Sequence, residues 1–360
     1  MNILIIINSF RLGGAEKLCY DLAKKLSQKP TIKVFLYSIG SIETELERCI
    51  YSDFKNTTVE VGSFNKPYRK KRVETILKIN SFCKNHRIDV VHSNGQSPDF
   101  LCRCTKLIGN KSKIVVSIHS TIGYSRFQES IFNHFTNAYV AVSTDALCYA
   151  KTELQIKKHI EVVNNGIDLE VYDTIEKKGF AQNILSVGSI QPQKDYLKSA
   201  RFLAPFLLKH SDIYWYIFGD YEYDSQYCAR FLDLCDELGI RDSVVLKGVE
   251  TNPREIYKYG KVFVLSSSSE GFGISFIEAI VSKHFIFSRN VGVIPEIIKY
   301  GGTIHDVDKK ESYGCLEDIF SSRVSEVELK VNKEIVSRLY SLENMTDKYL
   351  HIYNGVLTDE

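Results

Sequence analysis

Long apolar runs, an excess of charge and paired cysteines are all missing from this chain of 360 residues. No apolar stretch approaches the roughly 20 residues that a membrane-spanning helix needs. The N-terminus MNILIIINSF has neither the charged leader nor the small-residue cleavage site of a secretory signal. It reads instead as a first core strand, and the chain is expected to stay in the cytoplasm. A net charge of +2 implies no general affinity for nucleic acid or other polyanions. The nine cysteines are an odd number without a CxxC pair, and Cys102 and Cys104 flank Arg103 too closely for a zinc knuckle or a redox pair. Neither a disulfide framework nor a zinc site is supported, so the thiols are expected to pack, reduced, as small hydrophobes. Prolines are few, and low-complexity tracts and short repeats are absent. The first loop also lacks GxGxxG, with no acid at the required distance beyond it, which disfavours a nicotinamide dehydrogenase.

What remains is an ordinary globular composition, 44% apolar and 25% charged, on a length that suggests two domains. Near-continuous apolar runs, the pattern of buried parallel strands, occur at 2–8, 32–38, 89–93, 113–119 and 138–143. Helical spacing separates them, as at Ala15, Leu18, Cys19, Leu22, Ala23 and Leu26. VVNNGIDLEVYD (162–173) carries turn chemistry, and DTIEKKGFAQ (173–182) reads as a linker. A second series follows at 183–189, 213–220, 243–248, 261–267 and 284–288. The prediction is an α/β chain with two doubly wound, Rossmann-like domains in tandem, facing each other across a cleft formed by loops at strand C-termini. From 65 to 87 the sequence carries eight Lys or Arg against one acid, Glu74. This stretch is either a solvated helix face or a patch for an anionic membrane, and Ile76, Leu77, Ile79 and Phe82 read as its apolar side.

The segment SSSSEGFGISFIEAIVSKHF (266–285) carries the chemistry. Its first residues close a strand, and a helix is expected from Ile274 or Ser275. Free N–H groups at a helix start bind an anion, and Gly271 and Gly273 allow a ligand close to the backbone. Glu270 before the turn and Glu278 inside the helix would then grip opposite ends of a nucleotide-sugar, sugar and ribose, with the diphosphate between. The competing reading makes Glu278 an ordinary exposed helix residue.

EGFGISFIEAI, with its E-x7-E spacing, resembles the family 4 (group 1) retaining glycosyltransferases of the GT-B fold. GGAE (13–16), DVVHSN (89–94), SIHS around His119, AVS (141–143) and NNGID (164–168) agree in order. So do VGS…QKD (187–195), FGD (218–220), LGI…VVLKG (238–248) and GVIPEII (292–298). The resemblance implies an N-terminal acceptor-side domain over 1–170, joined by a returning terminal helix 340–360, and a donor-binding domain over 171–339. It implies that Glu270 holds the donor sugar and Glu278 the ribose. The backbone at Gly273, Ile274 and Ser275 would cradle the diphosphate, with Gly14 approaching from the other domain. Lys194 would neutralise the departing diphosphate, and His119 would lie beside the reacting carbon. Asn94 belongs to the acceptor side.

Two departures stand out. Ser189 occupies the donor-binding position where the family usually has a second diphosphate cation, for which Arg201 or Arg289 are possible substitutes. Asp195 replaces the usual glycine after the lysine. Asp306-Val307-Asp308 matches a metal-binding DxD literally but sits in a polar stretch and reads as a chance match; no metal is expected. The implied activity is transfer from a nucleotide diphosphate sugar, with UDP expected, to a glycan or lipid-linked saccharide of surface polysaccharide assembly. The alternatives are a silent sugar-nucleotide-binding scaffold or an epimerase on the same fold.

Overall fold

The computed structural model describes every residue other than 11–13, 43–46, 49–50, 53, 55–56, 67–70, 120–123, 177–181, 324 and 359–360. The chain divides into two compact units, residues 1–167 with 341–360, and residues 168–340.

Unit 1 holds strands β1 (Asn2–Ile7), β2 (Lys33–Gly40), β3 (Glu60–Lys66), β4 (Val90–Asn94), β5 (Lys113–Ile118), β6 (Ala138–Ala141) and β7 (Ile160–Val162). Their order across the sheet is β3-β2-β1-β4-β5-β6-β7, and every pairing is parallel. From Ile3 to Ile7 the strand is apolar at every position because both faces of β1 are covered. Ile3, Ile5 and Ile7 enter one core with Leu18 and Leu22 of the helix Gly14–Ser27 and with Met345, Tyr349 and Tyr353 of the helix Leu342–Thr358. Leu4 and Ile6 enter the opposite core with Ile79, Cys83 and Leu101. The terminal segment thus forms two helices, Val327–Leu339 and Leu342–Thr358, and only the second belongs to unit 1.

Unit 2 holds β8 (Ile184–Val187), β9 (Trp215–Phe218), β10 (Val244–Gly248), β11 (Val262–Leu265), β12 (Phe285–Ser288) and β13 (His305–Asp306), ordered β10-β9-β8-β11-β12-β13 and again parallel. This is the doubly wound order with a change of direction beside the first strand.

Several expectations need correction. Residues 162–173 hold the end of β7 and the short helix Leu169–Asp173, capped by Asp168, where turn chemistry was expected. His305 and Asp306 form an edge strand against β12 where a polar loop was expected. In the basic stretch, the helix Arg72–Asn85 buries Ile79, whereas Leu77 is 54% exposed and lies off the apolar side assigned to it; residues 67–70, including Arg69 and Lys70, lie outside the described residues. The described cysteines are free, six of them buried. Among the described residues no helix is long and apolar enough to cross a membrane.

Candidate functional site

In unit 2 the sheet turns at the β8/β11 boundary, where loops leaving neighbouring strand ends diverge and open a crevice. Those loops are 188–195 and 266–273, and the serine run sews them together. The Ser268 amide donates to the Gln193 carbonyl at 2.8 Å, and the Gln193 side-chain amide donates to the Ser269 carbonyl at 2.9 Å. Ser266 Oγ donates to the Asp195 carbonyl at 2.7 Å, so Ser199, whose hydroxyl lies 2.7 Å away, is left to donate to Ser266.

This stitching brings two of the expected site residues together. Lys194 ends the 3₁₀ turn Pro192–Lys194, and its ammonium donates to Glu270 Oε1 at 2.6 Å. Ser267 Oγ donates to the same oxygen at 2.7 Å, while Oε2 takes no hydrogen bond from the described residues. Glu270 is 8% exposed, so this ion pair is shielded from bulk water and attracts more strongly than a surface pair.

The helix Ile274–Val281 starts beside that pair. Gly273 caps it with φ +89, a left-handed conformation that glycine adopts without strain, and a Cβ there would lie 2.7 Å from the Phe276 ring. No described side chain caps this end, and the first amide to bond within the turn is that of Phe276, to the Gly273 carbonyl. The N–H groups of Ile274 and Ser275 are therefore open to an anion, and the dipole favours one.

Glu278 is 8% exposed, which removes the reading of an ordinary solvated helix residue. Tyr172 OH donates to its Oε1 at 2.5 Å and Tyr257 OH to its Oε2 at 2.6 Å. Burial, then the adjacent Glu278 charge, raises the Tyr257 phenol well above its ordinary pKa, so it stays a donor. Each carboxylate oxygen has a second lone pair, so two further hydroxyl hydrogens can be accepted. Both tyrosines escaped the sequence reading. They stand 106 and 21 positions from Glu278, and no local pattern announces such partners.

The suggested substitute cations are engaged. Arg289 donates to Asp195 Oδ2 at 2.9 Å, to Asp308 Oδ2 at 3.1 Å and to the Ser266 carbonyl at 3.1 Å. Lys198 pairs with the other Asp308 oxygen. Arg201 is exposed and turns back to the Leu197 carbonyl of its own helix. Ser189 is half-buried and adds no charge. The second aspartate of DVD is thus a counter-ion in an Arg-Lys network. Among the described residues no group of three or more His, Cys, Asp or Glu is placed to hold a metal ion.

In unit 1 the sheet reverses between β1 and β4. Asn94 ends β4, buried to 3% exposure, and His119 follows β5. The two touch, His119 Nε2 to Asn94 Oδ1 at 2.8 Å, and the Asn94 amide donates to the His92 carbonyl at 3.3 Å. Burial holds the His119 pKa down to about 4, so the ring is neutral at physiological pH. Gly14 is exposed as the first residue of its helix, and Gly13 lies outside the described residues.

Residues 12–171 match the family described as Glycosyltransferase Family 4, and residues 173–313 match Glycosyl transferases group 1. The chain is 23% identical to the N-acetyl-alpha-D-glucosaminyl L-malate synthase of Bacillus anthracis, over 97% of this chain and 96% of that protein. It is 24% identical, over 77% of each, to a Campylobacter jejuni enzyme, N-acetylgalactosamine-N,N'-diacetylbacillosaminyl-diphospho-undecaprenol 4-alpha-N-acetylgalactosaminyltransferase. Anabaena Alr3699/HepE, solved in complex with UDP and glucose, superposes with a TM-score of 0.80 at 15% identity, over 98% of this chain and 99% of that one.

Proposed function

The chain belongs to the group 1 glycosyltransferases of family 4, retaining enzymes of the GT-B fold, and on that premise we propose that it moves a hexose from a UDP-sugar to a lipid-linked saccharide. The observation that carries the reading is the Lys194–Glu270 pair lying against an uncapped helix start at the turning point of the unit 2 sheet.

The chemistry follows from those groups. When the bond from the anomeric carbon to the diphosphate breaks, negative charge grows on the departing oxygens. A fixed ammonium at Lys194 and the free N–H groups of Ile274 and Ser275 meet that charge without reorganising, commonly a large share of the barrier reduction. Glu270 keeps Oε2 for a sugar hydroxyl, and Glu278 takes the ribose hydroxyls, either beside the two phenols or in their place. With this cation and helix end on the diphosphate, the reaction calls for no divalent ion. The UDP donor is supported by the ligands of the Anabaena protein, and the lipid-linked acceptor by the diphospho-undecaprenol named for the Campylobacter enzyme. An acceptor of that kind belongs to surface glycan assembly on the cytoplasmic side of a membrane. We assign Gly14 and His119 to the ligand-facing edge of unit 1, with Asn94 behind His119, and the basic stretch 65–87 to the membrane surface.

A panel of nucleotide-sugars screened by thermal unfolding tests the reading, followed by product analysis with the stabilising donor. A ligand at a hundred times its Kd stabilises the folded protein by about 2.7 kcal/mol, and UDP-sugars are expected to stand out from GDP- and ADP-sugars. Glu270→Gln should still be stabilised by UDP yet lose transfer by about a hundredfold or more. A panel without response overturns the reading, and unimpaired transfer by Glu270→Gln removes Glu270 from the chemistry; a chain stabilised by a UDP-sugar that forms no product would be a scaffold.

A further inference from the structure

We infer that Asn94 is a positioning residue that locks His119 as its Nε2–H tautomer and so turns the bare Nδ1 lone pair toward the ligand. The lock is built from the backbone outward. The carbonyl of His92 can only accept, and it lies 3.3 Å from Asn94 Nδ2. Rotating the amide by 180° would set Oδ1 against that carbonyl, two acceptors face to face inside the protein, and would leave the buried Nδ2 unpaired there. An unsatisfied buried polar group costs about 1–3 kcal/mol, enough to hold the amide one way round. With Nδ2 committed to His92, Oδ1 is the atom facing His119 Nε2 at 2.8 Å. An amide oxygen only accepts, so Nε2 must carry the proton. A neutral ring then has no proton on Nδ1.

That second nitrogen is buried, and no described residue hydrogen-bonds to it. An orphaned acceptor of this kind calls for a donor, and a sugar hydroxyl is the chemistry that fits. The link to a sugar rests on the transferase reading above; the tautomer does not.

The position of Asn94 is itself braced. His92 is fully buried, its Nδ1 is 2.7 Å from Tyr353 OH and its Nε2 is 2.7 Å from Ser117 Oγ. Ser117 is the register partner of Asn94 across β4 and β5, and its hydroxyl lies 3.2 Å from Tyr349 OH. The terminal helix therefore pins both strands at the level where Asn94 and His119 meet. Asn94, expected to face an acceptor, has both ends of its amide engaged within the protein.

Long-range ¹H–¹⁵N spectra of the full-length protein with labelled histidine test the lock, with His119 assigned through the resonance lost in His119→Gln. The expected wild-type pattern is a protonated Nε2 and an unprotonated Nδ1 at neutral pH. Asn94→Ala should mix the two tautomers and lower transfer by about tenfold to a hundredfold. Asn94→Asp, which restores an acceptor opposite Nε2, should recover the single tautomer. A protonated Nδ1 in the wild type, or an unchanged tautomer in Asn94→Ala, overturns the inference. Because the spectrum needs no substrate, a chain with the expected tautomer that transfers no sugar would sink the transferase reading and leave the lock standing.

Discussion

Asp195 shows how one residue can serve geometry and charge together. It sits at φ +49, ψ +51, in the left-handed region, where the family resemblance predicts glycine. Asp enters that region more readily than most residues because its short side chain bonds locally. Here the side chain accepts from the Lys198 amide at 3.3 Å, capping the helix Tyr196–Lys209, and its other oxygen receives Arg289. Glycine would relieve about 1 kcal/mol of backbone strain and lose about 1 kcal/mol of capping, so Asp195→Gly should change stability little. Alanine would lose the cap without relieving the backbone, and Asp195→Ala should be less stable than the wild type by about 1–2 kcal/mol. Urea unfolding of the two variants decides; equal stability of Ala and Gly would mean that the left-handed turn sets no constraint. The unusual residue was legible in the sequence, but its cap and its Arg289 partner, 94 positions away, were not.

At the scale of elements, what was legible depended on how deeply each strand is buried. The central strands β1, β4, β5, β8, β11 and β12 stood out because water touches neither of their faces. The strands that escaped, β3, β7 and β13, all lie at sheet edges. Edge strands are half solvated, so EVGSFNK carries little of the apolar signal, and IEV and HD are in addition too short to show a pattern. The helix Ile274–Val281 was readable because its glycine turn and its apolar face are adjacent in sequence. The helix Arg72–Asn85 was misread in detail, and the correction gives it a sharper role. Val73 and Leu77 are 72% and 54% exposed, one turn apart, beside exposed Lys71, Arg72, Lys78 and Lys84. Glu74 neutralises part of this charge through Lys71 and Lys78. Apolar side chains amid lysines suit an anionic lipid surface, where each basic residue adds about 1 kcal/mol. Arg72→Glu combined with Leu77→Asp should therefore cut partitioning onto phosphatidylglycerol-containing vesicles by about tenfold or more, with little effect on neutral vesicles. Unchanged partitioning would leave the stretch a solvated helix face.

For the molecule as a whole, three buried ionisable groups of unit 1 set how folding responds to mild acid. Burial depresses His92 from 6.5 to about 3 and His119 from 6.5 to about 4, so both are neutral when folded over most of the acidic range. Between pH 4 and 6.5 the unfolded chain binds two protons there that the folded chain refuses, and stability falls as the pH drops. Asp99 opposes them. Buried, with no described residue in hydrogen-bonding geometry to either oxygen, it is raised from 3.8 to about 7, chiefly by burial and against the pull of Arg103 and the nearby Ser93. The folded chain holds that proton where the unfolded chain has released it, so this contribution is lost as the pH rises toward 7. Two groups outweigh one: stability at pH 7 should exceed that at pH 5 by about 1–2 kcal/mol. Asp99→Asn removes the opposing group and should widen the gap to about 4 kcal/mol, measured as the urea transition of unit 1 at the two pH values. A gap that does not widen would place the Asp99 proton elsewhere. The direction also bears on the inference drawn for His119, because the desolvation that should make acid destabilise the unit is the same one that keeps its unpartnered Nδ1 free of protons.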